Sequence, residues 1–136
     1  MDWKECCNKR TAKKIEVDDN LISSLKKTSE NRLKSSDELK MNDINACSKV
    51  SLAYDSLREI LEALSIKNKY KIYNHECYTS FLKEILNESD KGDDFDEIRK
   101  VRNGINYYGK DITLEEAKDV IKKIKKLRQS FLFMLK

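Results

Sequence analysis

The chain contains no proline, only three glycines and a single histidine in 136 residues. β-Sandwiches and barrels need frequent tight reversals, which Gly and Pro supply, so this composition excludes them. No stretch approaches the roughly 20 apolar residues of a membrane span. The start, Met1-Asp2-Trp3-Lys4-Glu5, lacks the apolar run of a secretory signal. The four cysteines, Cys6, Cys7, Cys47 and Cys77, contain no C-x-x-C pair, and only His75-Glu76-Cys77 approaches a cluster of metal ligands. The expectation is therefore reduced, packed thiols, no metal, no cofactor and a cytoplasmic location.

What is present is charge and helical periodicity. Charged residues make up 38% and hydrophobic ones 39%, with 28 Lys and Arg against 24 Asp and Glu, a net charge of +4. That is enough apolar material for one core in one domain. Residues 1–17 read as a basic leader with little apolar order, and the pattern leaves open whether it is ordered. Residues 18–136 read as a helical bundle. Leu21, Ile22, Leu25, Leu33 and Leu39 lie near one face of a first helix, with Ser and Thr between them. Asn42-Asp43 offers a stop and a new N-cap, and the spacing from Ile44 to Leu64 gives a second helix of about six turns. Tyr70–Tyr73 alternates too briefly to count as a strand.

Asn74 is an N-cap with Glu76 in the first turn, opening a third helix through Tyr78, Phe81, Leu82, Ile85 and Leu86. Residues 87–93 read as a loop around Gly92. Asp94 with Glu97 reads as a capping box opening a fourth helix, which Gly109 ends. Thr113 with Glu116 is a second box, opening the last helix. The expected fold is all-α, a five-helix antiparallel bundle. The last helix carries a basic stripe of Lys118, Lys122, Lys125 and Lys126. Such a stripe suits phosphate tracking, with Lys122 as a substrate-binding candidate, or it simply solvates the helix. The second reading is favoured because no aromatic side chain interleaves with the lysines.

The segment from Phe95 to Gly109 concentrates hydrogen-bonding groups beside an apolar face. Arg102 lies next to Val101 and one turn from Ile98 and Ile105, followed by Asn103, Asn106, Tyr107 and Tyr108. A half-buried guanidinium there needs an anionic partner, either a ligand phosphate or a carboxylate of the third helix such as Glu84.

The helix order, the run Arg102-Asn103-Gly104-Ile105-Asn106-Tyr107, the stretch Ala53-Tyr54-Asp55 and the loop before Asn74-His75-Glu76 resemble the HEPN domain over roughly residues 20–135. The signature of that family is an Arg, a polar residue, and a His four to six residues beyond the Arg. The resemblance implies a homodimer with two signatures facing each other across a cleft. It also implies RNA or a nucleotide as ligand and a minimal nucleotidyltransferase antitoxin as partner, with no membrane role. Carried over, Arg102 would hold the scissile phosphate, Asn103 would orient it, and Tyr107 would stand near the place of the His. Asn106 and Tyr108 would contact substrate. Tyr107, Tyr108 and Gly109 occupy the three positions open to that His. Tyrosine, with a pKa of about 10, is a poor base where His titrates near 6.5. The resemblance thus implies a dimeric, toxin–antitoxin-type RNA- or nucleotide-binding module with weakened or lost catalysis. The alternative is a metal-independent endoribonuclease. On a straight helix, residues five apart are turned by about 140°, so Arg102 and Tyr107 are not expected to meet without unwinding or a second subunit. His75 reads as an ordinary first-turn residue.

Overall fold

The computed structural model describes residues 1–136. Six α-helices and one two-stranded sheet follow in the order α1 (Trp3–Asn8), β1 (Ala12–Lys14), α2 (Asp19–Glu38), α3 (Ala46–Lys67), β2 (Tyr70–Ile72), α4 (His75–Ser80), α5 (Ser89–Tyr108) and α6 (Leu114–Met134). The fold is all-α, as expected, with one helix more than the five read from the sequence. No helix is long and apolar enough to cross a membrane.

The extra helix comes from the basic segment 1–17. Asp2 caps α1 by accepting from the Glu5 N–H, and Cys6 of α1 is fully buried. Trp3 packs edge-on to Tyr70, with ring centroids 5.0 Å apart, and against Phe81. β1 then pairs antiparallel with β2, Ala12 opposite Ile72 and Lys14 opposite Tyr70. The short alternation at Tyr70–Tyr73 is thus a strand after all. Its partner comes from the N-terminal segment, and β2 itself rests on α3.

α3 is the centre of the domain. Val50, Ala53, Tyr54, Leu57, Ile60, Leu61, Leu64 and Ile66 are all at most 2% exposed, so the helix is covered on nearly every side. Burying each Leu or Ile contributes about 1.5–3 kcal/mol. α2 packs on the core through Leu25 and its apolar neighbours, and on α3 also through small polar residues. Ser29 Oγ donates to Ser56 O at 2.6 Å, and Ser36 Oγ donates to Lys49 O at 2.8 Å. Arg128 of α6, 5% exposed, joins this seam by donating from Nε to Ser29 Oγ at 3.0 Å and from Nη2 to Glu30 at 3.2 Å.

The C-terminus of α2 lacks a glycine cap. Lys49 of α3 supplies the missing donors, its buried ammonium reaching Ser36 O at 2.5 Å and Leu39 O at 2.8 Å. Helix-end carbonyls without partners are costly when buried, and charge-assisted bonds are the stronger kind. Lys49→Met keeps the volume and removes the donors. Urea unfolding is expected to show a loss of about 2 kcal/mol at an unchanged m-value.

The loop expected around Gly92 is instead the first turn of α5, which begins at Ser89, five residues before Asp94. Two features explain the earlier start. α4 continues as a π-helical turn over Phe81–Ile85, and its wide last turn delivers the chain directly to Ser89. A Cβ on Gly92 would lie 2.7 Å from Lys83 Cγ and 3.3 Å from Thr79 O, so the glycine is there for close helix approach. The box at Thr113 and Glu116 forms as read, and Asn74 caps α4 by accepting from the Glu76 N–H.

The expectation of reduced thiols is corrected for one pair. Cys6 and Cys77, 71 residues apart, form a disulfide between α1 and α4; Cys7 and Cys47 are free. Sequence spacing carried no sign of it, because the tertiary fold alone brings the two Cα atoms to 6.0 Å.

Candidate functional site

Arg102 projects from α5 onto α3. Its Cζ lies 5.1 Å from the ring centroid of Tyr54, which is fully buried, and 5.5 Å from that of Tyr107. Its Nη1 donates to Tyr107 Oη at 3.2 Å. With the Asn106 amide turned so that both of its ends are satisfied, Asn106 Oδ1 accepts from Arg102 Nε at 3.0 Å and Nη2 at 3.3 Å. The Asn106 Nδ2 then donates to Ser51 Oγ at 3.1 Å. Arg102 and Tyr107 therefore meet within one chain, contrary to the straight-helix expectation. The last turn of α5 is wide: the Gly109 N–H reaches back to Gly104 O, with Gly109 at φ 62°. A long guanidinium and a long phenol then span the remaining rotation.

No carboxylate pairs with Arg102. Glu84, considered as its internal partner, instead accepts the Trp3 N–H at 2.7 Å. The neighbouring arginines differ. Arg58 Nη1 is 3.2 Å from Glu62, and Arg99 Nη2 is 2.8 Å from Asp96. Three guanidiniums thus converge here, and the one at Arg102 is held by neutral groups alone: two aromatic faces, a phenol and an amide. Cation–π contact orients such a group without neutralising it.

The only histidine completes the cluster. His75 opens α4, and its Nδ1 is 3.0 Å from Tyr54 Oη, with ring centroids 5.9 Å apart. Burial pushes its pKa down to about 4, helped by the positive charges of Arg58, Arg102 and Arg99. It is neutral at pH 7. Burial also raises the Tyr54 and Tyr78 phenols above their ordinary value. The imidazole and the two phenols are therefore uncharged at pH 7, with the guanidiniums of Arg58, Arg99 and Arg102 around them. Sequence reasoning missed His75 as a member of this group. Nothing local marks it, because Tyr54 lies 21 residues away on another helix.

The other sequence candidates are dispersed. Asn103 is half-buried beside Arg102 and makes no hydrogen bond through its side chain. Tyr107 and Tyr108 are 68% and 76% exposed; Tyr107 lies against the guanidinium, whereas Tyr108 makes no hydrogen bond or cation–π contact with it. Lys122 stands on the exposed face of α6 among Glu115, Lys118 and Asp119, with no bond to the Arg102 cluster. Within the basic stripe, Lys125 pairs with Asp37 at 2.7 Å, and the adjacent Lys123 pairs with Glu97 at 3.5 Å. No group of three or more His, Cys, Asp or Glu side chains assembles into a cation site.

Chemically, a guanidinium with neutral partners can exchange a phenol or amide bond for two parallel bonds to a phosphate. A neutral imidazole next to it can donate or accept a hydrogen bond, but with a pKa near 4 it is a weak proton acceptor. The chain matches no family model, no curated protein and no solved structure.

Proposed function

We propose that this chain is a HEPN-like domain that binds RNA or nucleotide phosphate at Arg102, as a homodimer, with weakened or lost catalysis. In this reading it is the toxin-like half of a module with a minimal nucleotidyltransferase. The observation that carries the proposal is the Arg102 guanidinium, oriented by Tyr54, Tyr107 and Asn106 and paired with no carboxylate. An arginine serving only the fold would pair with an acid, as Arg58 and Arg99 do. Supporting it are the position of Arg102-Asn103 late in the penultimate helix and the exposed Tyr107 against the guanidinium, with the exposed Tyr108 next in sequence. These two rings would face the second protomer or a ligand base. Weak catalysis follows from tyrosines standing where the family places His.

The second reading, a metal-independent endoribonuclease, is favoured by one observation: His75 lies within the Arg102 cluster. In that reading Arg102 would stabilise the charge developing on phosphorus oxygens, and His75, a weak base at a pKa of about 4, would accept the ribose hydroxyl proton only inefficiently.

Binding of a fluorescent mixed-sequence oligoribonucleotide, followed by anisotropy at two salt concentrations, tests the first reading. Affinity is expected to weaken with salt, and Arg102→Ala to weaken it at least about tenfold, or about 1.4 kcal/mol. Equal affinity of wild type and variant would overturn the assignment. Incubation of the same RNA without divalent metal separates the two readings. Cleavage that needs both Arg102 and His75 makes the protein an enzyme, and intact RNA leaves it a binding module.

A further inference from the structure

α4 is only six residues long, and the contacts that tie it to the N-terminal segment fall directly behind His75. Cys77 is joined to Cys6. The amine of Met1 lies 3.2 Å from Glu76 Oε1, and Ser80 Oγ donates to Met1 O. Further along, Glu84 accepts from the Trp3 N–H, and Trp3 covers Phe81. On the opposite side, the same short helix presents His75 to Tyr54, the platform under Arg102. One small element therefore faces the N-terminal segment on one side and the candidate site on the other. Of the ties to the N-terminal segment, only the disulfide is covalent and reversible by electron transfer.

We infer that the Cys6–Cys77 disulfide is a redox latch on the Arg102 site, holding α4 so that His75 supports Tyr54 beneath the guanidinium. This rests on the phosphate-binding reading and names how that site is regulated. Two equivalents of an external thiol, or one dithiol, supply two electrons and two protons. The S–S bond breaks, two S–H groups form, and the reductant leaves as a disulfide. Both sulfurs are buried, so reduction proceeds through local opening of the short α1. What then remains is the packing of Trp3 on Tyr70 and Phe81, an ion pair, a few hydrogen bonds and three residues of strand pairing, none of them covalent. α4 loosens, the Tyr54–His75 bond breaks more often, and Arg102 loses its fixed orientation.

The test uses the full chain, oxidised and after treatment with a dithiol. Its probe is the fluorescent mixed-sequence oligoribonucleotide, and the ring signals of the single histidine give a second, binding-independent readout. Reduction is expected to lower RNA affinity about tenfold and to move the His75 titration midpoint upward from about 4 toward the ordinary value. The helical far-UV signal should persist. Cys6→Ser should reproduce both changes without reductant. In Cys7→Ser, the response to reduction should match wild type. In His75→Gln, reduction should no longer change the affinity. Equal RNA binding in both redox states with an unmoved His75 titration would overturn the latch and leave the binding reading intact. Absence of RNA binding in either state, with His75 still shifting on reduction, would sink the binding reading and retain the coupling of disulfide to site. Loss of the helical signal on reduction would overturn the latch by making the disulfide a staple of the whole fold.

Discussion

Removal of the Cys6–Cys77 bond is expected to lower the unfolding free energy by about 4 kcal/mol, the largest single effect in this chain. The figure follows from the 71-residue separation, because a cross-link closing a loop of that length removes much of the conformational freedom of the unfolded chain. Guanidinium chloride unfolding of Cys6→Ala/Cys77→Ala against the oxidised wild type measures it. Cys7→Ala is the control, since that thiol is exposed and free, and its midpoint should stay within about 0.5 kcal/mol of wild type. A large loss on Cys7→Ala with none on Cys6→Ala would mean that the neighbouring cysteine makes the bond. Native protein reacting with a thiol reagent at four positions would mean that no bond forms.

Acidification is expected to destabilise the protein through His75. The group is neutral in the folded chain down to about pH 4, whereas an unfolded histidine takes up a proton near 6.5. Between those values the unfolded state binds more protons, so stability is full above about pH 6.5 and falls as pH drops toward 4. Below that the histidine costs nothing further. The groups responsible surround it: burial against Tyr54 of α3 and Tyr78 of α4, then the charges of Arg58 on α3 and of Arg102 and Arg99 on α5. Allowing for solvent screening at a half-exposed ring, the expected loss is about 2 kcal/mol between pH 7 and pH 4. Carboxylates titrate over part of the same range, so the comparison is with His75→Gln, in which the carboxylates are unchanged. The wild-type curve should fall more steeply than the variant's across that window. Parallel curves would mean that His75 charges freely in the folded protein.

The elements legible in the sequence share a feature: their signals lie within one or two helical turns. The cap at Thr113 and Glu116, the cap at Asn74 and the apolar spacing of α3 act through neighbours on the same helix; the two caps are as read, and so is the spacing from Ala46 on, Ile44 lying before the helix and 88% exposed. The misreadings required partners from elsewhere. Gly92 looked like a loop residue until Thr79 and Lys83 approached it from the previous helix. The order of segment 1–17 was left open by the sequence because its anchors, β2, Glu76, Cys77 and Phe81, lie some sixty or more residues away. The candidate site divides in the same manner. Arg102 was legible as a guanidinium beside an apolar face, and the tyrosines following it were visible too. That Arg102 escapes a carboxylate while Arg58 and Arg99 do not was invisible, as was His75.

By itself the sequence determined an all-α chain, because helix formation is governed by contacts three and four residues apart, and its scarcity of Pro and Gly permits little else. It also determined which residues carry charge and which arginine lies on an apolar stripe. The tertiary structure alone decided that Cys6 bonds Cys77, that Lys49 caps the end of α2, and that Tyr54, His75 and Arg102 share one place. Each of those pairings joins side chains whose proximity depends on how helices pack, and packing is a property of whole faces that no local spacing encodes.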